Sequence, residues 1–198
     1  MTVRTKEISA IEHEGKLAMG IVLNDQLLFN RFFAKSDLSE KPSVKQKLMM
    51  LDKSRRVMDC TSRNVGKSVN IKLCIMRDMV IHQKSENKDQ KDEILVCAPT
   101  EGHLDPLVNN LFSDVFNNVL FRSLVMQRAK GDKPLLLTRS NLWIYFRLEG
   151  TAGDGRNMVA LHPFKIYGDE MAYSSQVDHR YRIDGAQPDA MWRYSGVP

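Results

Sequence analysis

An eight-residue stretch in the first half of the chain has the residue types of a phosphate-binding loop. It is TSRNVGKS, to be compared with the pattern G-x-x-x-x-G-K-[ST]. Only the first position departs, where Thr61 replaces glycine. That glycine mainly eases the turn, so Thr61 is acceptable if its backbone angles stay in an allowed region. The candidate nucleotide-binding residues of the loop are Thr61, Ser62, Arg63, Asn64, Val65, Gly66, Lys67 and Ser68.

The chemistry of such a loop rests on three kinds of group. Consecutive backbone N–H groups at a helix N-terminus bind phosphate oxygens, and Lys67 adds a positive charge beside them. Ser68 is the candidate Mg²⁺ ligand. Gly-Lys-Ser is also a common tripeptide in ordinary strand-to-helix turns, and on this motif alone that interpretation stays open.

Two adjacent carboxylates, Asp169 and Glu170, follow the apolar segment FKIYG later in the chain. In this arrangement the first acid holds the metal ion and the second polarises the attacking water, so Asp169 is the candidate metal ligand and Glu170 the candidate general base. Paired acids at a strand end are also frequent on protein surfaces. The two motifs occur in the expected order, each after a predicted strand, where such sheets bind ligands, and together they favour an ATP site.

Three arginines are candidates for stabilising a transferred phosphoryl group. Arg63 lies inside the loop and could reach the γ-phosphate of a bound nucleotide in cis, or it could hold the loop through an ion pair. Arg139 and Arg156 could act in trans, in the site of a neighbouring subunit, or they could be solvated loop residues.

The elements that must position these residues alternate between strand and helix. Strands are predicted at RRVMDC, at ILVCAP, within 134–148, at FKIY and at the C-terminal DAMWRYSGVP; helices are predicted over about 43–52, after the loop, and over about 101–128. The helix after the loop is predicted to bury one apolar face, and its residues are Val69, Leu73, Met76 and Val80, with Ile75 and Met79 beside them. The alternation predicts an α/β fold with a mainly parallel sheet flanked by helices on both faces.

Length and composition limit the possibilities further. The 198 residues predict one domain, over 42–198, preceded by a lead segment over 1–41 that packs on it. The net charge of +5 permits a polyanionic partner, although no tract of five or more Lys/Arg appears. The three cysteines show neither disulfide nor zinc spacing, and no window approaches the ~20 apolar residues that cross a bilayer. These features predict a soluble, intracellular protein that does not contact a membrane.

Several motifs resemble those of the large terminase subunits of tailed bacteriophages. CTSRNVGKS resembles their deviant phosphate loop, Ser-Arg-Gln-x-Gly-Lys-Ser/Thr, with Asn64 where the family usually has glutamine. Gln46 is similar to the glutamine on the adenine side of the nucleotide. ILVCAPTEGH is similar to the second strand motif, GDGRNM to the arginine-containing loop, and KIYGDEMAY to the acidic strand. YSGVP, with Ser195 and Gly196, is similar to the coupling motif, where Ser-Gly-Thr-Pro is more usual.

The resemblance implies a three-layer, RecA-like P-loop ATPase that uses ATP and Mg²⁺ to move double-stranded DNA through a portal into an empty capsid. It also implies a portal protein and a small terminase subunit as partners, a homo-oligomeric ring, and a location in the host cytoplasm, transiently docked on the procapsid. The nuclease domain of that family is expected to be absent, because the chain stops at the coupling motif.

Two other functions share some of these features. A helicase-like DNA translocase of superfamily two has the glutamine, the loop and the acidic pair, but it needs a second RecA-like domain. A nucleotide-dependent assembly module would bind ATP with little turnover. Basic residues before the loop could face DNA or form a solvated rim; they are Lys45, Lys47, Lys53, Arg55 and Arg56.

Overall fold

The computed structural model describes residues 19–22, 25, 28–29, 44–60, 66–83, 91–130, 133–149, 161–171 and 185–196, with the backbone only at 45 and 46. The chain forms two compact units, Met1–Leu51 and Asp52–Pro198. The first contains helix α1, Val44–Leu51, which matches the helix predicted over about 43–52. The units therefore divide after Leu51, whereas the sequence suggested a division at 41/42, and the role of the lead segment stays a prediction.

The second unit alternates strands and helices, as the sequence predicted. Its strands are β1 (Arg56–Cys60), β2 (Asp92–Ala98), β3 (Val125–Ala129), β4 (Leu135–Thr138), β5 (Leu142–Leu148), β6 (Lys165–Gly168) and β7 (Met191–Gly196). Its helices are α2 (Lys67–Ile81), α3 (Glu101–Asn117) and α4 (Val119–Leu124). Among the described helices of the chain, none is long and apolar enough to cross a membrane.

The seven strands form one sheet in the order β1-β7-β6-β2-β5-β4-β3. The first five strands in this order run parallel, and β4 and β3 extend the sheet in antiparallel fashion. The carboxyl ends of β1, β7 and β6 therefore meet at one edge of the sheet. The α/β fold with a mainly parallel central sheet is confirmed.

Helices cover one face of the sheet. α2 packs against β7 and against α3 and α4, and α3 packs on β2 and β5. Phe112 of α3 meets Phe146 of β5 edge to face, with ring centroids 5.7 Å apart. On the opposite face, Leu95, Cys97 and Ile166 form a second core with Met171 and Tyr194. Burial on both faces explains why β2 is apolar along nearly its whole length.

Two predictions about the helices were wrong. The sequence predicts helix to about residue 128, but α4 ends at Leu124 and β3 begins at Val125. Arg128 and Ala129 pair with β4, so tertiary pairing overrides the local pattern there.

The buried surface of α2 is wider than the single apolar face that the sequence predicted. Because α2 lies between the sheet and the other helices, its buried residues include the polar Lys72 and Asp78.

Candidate functional site

The phosphate-loop sequence ends where α2 begins, and the backbone at that point requires glycine. Gly66 has a φ of 82°, in the left-handed region, where an L side chain is strained. The carbonyl oxygen of Gly66 accepts the Asn70 N–H at 2.9 Å, which closes the first turn. The first N–H groups of α2 have no partner within the helix, so they can bind an anion.

Lys67, the first residue of α2, points at the end of β7. Its side chain is buried, and its Nζ donates to the Gly196 carbonyl oxygen at 3.0 Å. A buried ammonium group needs acceptors, and a carbonyl oxygen at the carboxyl edge of the sheet supplies one. The lysine of the loop motif and the last residue of β7 are thereby brought together.

Asp169 follows β6 directly and is the centre of the site. Only 3% of the residue is exposed. Its Oδ2 accepts from Ser68 Oγ at 2.5 Å, and its Oδ1 accepts from Ser195 Oγ at 2.5 Å. The Asp169 N–H donates to the Cys97 carbonyl oxygen at 2.9 Å, which fixes the residue beside β2. Asp169 therefore connects the loop motif to the β7 motif, and its metal role stays a prediction.

Glu170 is held in an unusual backbone conformation. Its φ is 52°, in the left-handed region. This conformation costs a non-glycine residue about 1–3 kcal/mol and persists only where the surrounding structure enforces it. The Glu170 N–H donates to Asp169 Oδ1 at 3.1 Å and lies 3.5 Å from Ser195 Oγ. Within the described part of the chain, the buried Oε2 of Glu170 has no hydrogen-bond partner. A buried carboxylate oxygen without a donor can accept a proton from a water molecule.

A cavity of about 180 Å³ opens beside these groups, between the N-terminal halves of α2 and α3. Its lining includes Ser68, Asp169 and Glu170, together with His103 and Asn110 of α3. The α3 residues were not predicted to belong to the site. His103 ends the ILVCAPTEGH motif but was given no role in the site, and no motif contains Asn110; the packing of α3 on α2 brings both there.

The candidate metal ligands are Ser68 and Asp169. A hydroxyl and a carboxylate supply the oxygen ligands that Mg²⁺ prefers, and the two oxygens are adjacent, 2.5 Å apart. The described residues contain no group of three or more His, Cys, Asp or Glu side chains placed to hold a metal ion. Ser68 and Asp169 are thus the described side chains that would hold the ion.

Several predicted site residues are not placed by the structure. Thr61–Val65, with Arg63, and Arg156 lie outside the described residues, and for Gln46 only its backbone in α1 is described. Arg139 lies in the turn between β4 and β5, at the edge of the sheet opposite to Asp169, where its Nε donates to the Ser123 carbonyl oxygen at 2.8 Å. The roles assigned to all of these residues stay predictions.

No protein-family model and no curated protein matches the sequence. Among solved structures, the chain is similar to the large terminase of bacteriophage HK97, with a TM-score of 0.66 and 14% identity over 88% of this chain and 37% of that one. It is also similar to the large terminase ATPase domain of Thermus phage P74-26, with a TM-score of 0.59 and 11% identity over 79% of this chain and 64% of that one. The chain therefore spans less than two thirds of either structure.

The sheet order, with Gly66 and Lys67 at the start of α2, defines an α/β fold of the P-loop class. Within that class the chain has the fold of the phage large terminase ATPase domains, so the resemblance suggested by the sequence motifs is confirmed at the level of the fold.

Proposed function

We propose that this chain is the ATP-hydrolysing motor domain of a large terminase, which moves double-stranded DNA into a procapsid. The observation that carries the proposal is the contact of Asp169 with both Ser68 and Ser195, beside Glu170 with its unpartnered Oε2. These contacts bring the end of the loop motif, the acidic pair and the β7 motif next to one another. The fold shared with the two phage terminase structures supports the terminase assignment.

Each residue has a defined task in hydrolysis. The N–H groups at the start of α2 and Lys67 bind the phosphates, and Arg63 is the candidate cis arginine. Ser68 and Asp169 would hold Mg²⁺, which would neutralise charge on the phosphate oxygens. Glu170 orients the attacking water and accepts its proton as the bond to the γ-phosphorus forms. ADP leaves with the electron pair of the broken P–O bond, and inorganic phosphate is released.

Ser195 is a positioning residue. It is 1% exposed and donates to the aspartate that holds the metal, while its oxygen lies 3.5 Å from the Glu170 N–H. Any displacement of the Ser195-Gly196 end of β7 therefore moves groups that bind the metal and the water. This supports the predicted coupling of hydrolysis to DNA movement through the segment that contains Ser195 and Gly196.

The remaining parts of the proposal follow from the terminase assignment. The partners are double-stranded DNA, a portal protein and a small terminase subunit, and the active form is a homo-oligomeric ring in which Arg139 or Arg156 could act in trans. The protein works in the host cytoplasm while docked on the procapsid.

The decisive experiment compares Glu170→Gln with Glu101→Gln, the same change at an exposed position in the first turn of α3. We expect Mg²⁺-dependent ATP turnover in the parent and in Glu101→Gln, and a loss of about 10²-fold or more in Glu170→Gln, because a positioned general base contributes about 10²–10⁴-fold. Fluorescent-nucleotide binding should survive in all three proteins.

Two results would contradict the proposal. Equal turnover in Glu170→Gln removes Glu170 from the mechanism. Nucleotide binding without turnover, with DNA, portal and small subunit all present, favours the assembly module.

A further inference from the structure

The positive charge of the chain is concentrated in one part of the fold. Residues 115–148 contain six of the 29 basic residues and one of the 24 acidic residues, which gives this segment a net charge of +5. The remaining 164 residues contain 23 of each and are neutral overall. The whole net charge of the protein is therefore carried by the segment from the end of α3 to β5.

Four of these six cations lie at the outer end of the sheet. They are Arg122 of α4, Arg128 of β3, and Lys130 and Lys133 of the β3–β4 connection, and all four are exposed. We call them the basic edge. β3 is the last strand in the sheet order, so the basic edge follows the end of the sheet farthest from β1. The other two cations, Arg139 and Arg147, donate to backbone carbonyl groups within the unit.

The basic edge has no acidic partners among the described residues. The ion pairs of the described residues involve cations outside the basic edge, such as Arg55 with Asp189 at 3.0 Å and Lys165 with Asp78 at 2.7 Å. The single acid of the segment, Asp132, lies outside the described residues. The field of the four exposed cations is therefore not cancelled by a described ion pair.

Two of the cations are held in place by aromatic rings. The Arg128 guanidinium lies 4.3 Å from the ring centre of Phe116, and the Lys130 ammonium lies 5.8 Å from that of Phe112. Cation–π contacts fix the side chains while leaving the charge able to meet an anion. Because residues two apart in an extended chain are about 7 Å apart, the two charges form a short row beside the helical face of the sheet.

We infer that the basic edge binds the phosphate backbone of double-stranded DNA, independently of base sequence. A duplex carries one negative charge per about 1.7 Å of its axis, so a row of cations meets phosphates without needing a particular register. Arginine and lysine contacts to phosphate fix position and carry no sequence information directly, which suits a protein that must move along DNA. The choice of DNA as the polyanion rests on the proposed function.

The surface is distinct from the basic residues before the phosphate loop. Arg55 is paired with Asp189, and the Arg56 guanidinium lies 5.4 Å from the ring centre of Trp192, so both are engaged by the segment that ends in β7. Lys47 and Lys53 are exposed. The sequence leaves open whether they face DNA or form a solvated rim; if DNA binds at the basic edge, reversing their charges lowers the net charge without removing a phosphate contact.

The test measures the binding of a short fluorescent DNA duplex of arbitrary sequence, without nucleotide, between about 50 and 200 mM salt. The test variants are Arg128→Glu with Lys130→Glu, and Arg122→Glu with Lys133→Glu. The control is Lys47→Glu with Lys53→Glu, which lowers the net charge equally. We expect each test pair to weaken binding about 10-fold or more and to reduce the slope of log K against log salt by about 0.9 for each lost contact. The control should bind as the parent does.

The second test pair makes no ring contact among the described residues, so it remains informative if loss of the cation–π contacts unfolds the first. Parent-like affinity in both test pairs, an equal loss in the control, or no DNA binding by the parent would overturn the inference. ATP turnover is measured separately on the same proteins. A parent that binds DNA through the basic edge without turnover refutes the proposed function alone, and turnover with unchanged DNA binding in the test pairs refutes the basic edge alone.

Discussion

Gly168 is the last residue of β6, directly before the acidic pair, where a side chain would have no room. A Cβ atom there would lie 2.5 Å from Met171 Sδ and 2.8 Å from Tyr194 Cδ1. Both neighbours belong to the core on the second face of the sheet. The absence of a side chain at this position therefore lets the chain turn from β6 into Asp169 without disturbing that core.

We predict that Gly168→Ala lowers the free energy of unfolding by about 1–3 kcal/mol, the usual cost of overpacking. The control is Gly102→Ala in α3, where the nearest atom to the new Cβ, Thr100 Oγ1, is 3.8 Å away. That change should stabilise the protein by up to about 1 kcal/mol, since alanine is the better helix former. Urea unfolding of both variants measures the difference, and equal stabilities would show that Met171 moves aside freely.

The residue types of the site could be predicted from the sequence, but their contacts could not. Lys67, Ser68, Asp169 and Glu170 each have a motif, and the structure brings all four to one edge of the sheet. The bond from Ser195 to Asp169 depends on β7 lying beside β6, and strand order is a long-range property that local patterns do not contain.

At the scale of elements, α2 is joined to β6 at two points. Near its start, Ser68 donates to Asp169. Near its end, Asp78 accepts from Lys165 Nζ at 2.7 Å and from Tyr167 Oη at 2.6 Å. Burial, with the Asp78 charge, raises the pKa of Tyr167 well above its usual value, so the phenol stays protonated and donates. Helix and strand are thereby held in a fixed register.

We predict that Asp78→Ala lowers the free energy of unfolding by about 3–5 kcal/mol, because it leaves a partly buried ammonium and a buried phenol without their acceptor. The matched change is Asp114→Ala, which breaks the other described ion pair of α2, to Lys72. The Asp114 side chain is 41% exposed, so its loss should cost less. Denaturant unfolding compares the two, and an equal cost would show that the Asp78 contacts do not hold the register.

The elements that the sequence predicted well are those whose signal is local. β1, β2, β6 and β7 are short apolar runs next to a motif or a proline, and α2 follows the loop directly. β3 was missed because Val125–Ala129 has neither strand alternation nor turn residues before it, and it becomes a strand only by pairing with β4. β4 lies within the strand region predicted over 134–148, so β3 is the part of the antiparallel end that was not predictable from local pattern.

At the scale of the whole molecule, nucleotide binding should appear as added stability. A ligand that binds only the folded state stabilises it by about 2.7 kcal/mol when its free concentration is 100 times Kd. We predict a shift of this size for the parent with Mg²⁺ and ATP, and none for Lys67→Ala at the same concentrations, because that change removes the cation of the loop. Chemical denaturation with and without nucleotide measures both, and a full shift in Lys67→Ala would place the nucleotide elsewhere.

The position of β7 in the sheet also limits the order in which the strands can pair while the chain folds. β7 is the last described strand of the chain, yet it lies between β1 and β6 and pairs with both. Until β7 has been synthesised, β1 and β6 each have an unpaired edge where β7 will lie. Unpaired edges favour slow folding and pairing with other chains. A nascent chain that stops before Met191 lacks the strand that lies between β1 and β6, and with it Ser195, one of the two hydroxyl donors to Asp169. If the proposed function is correct, the sheet and the candidate site are therefore completed by the same segment.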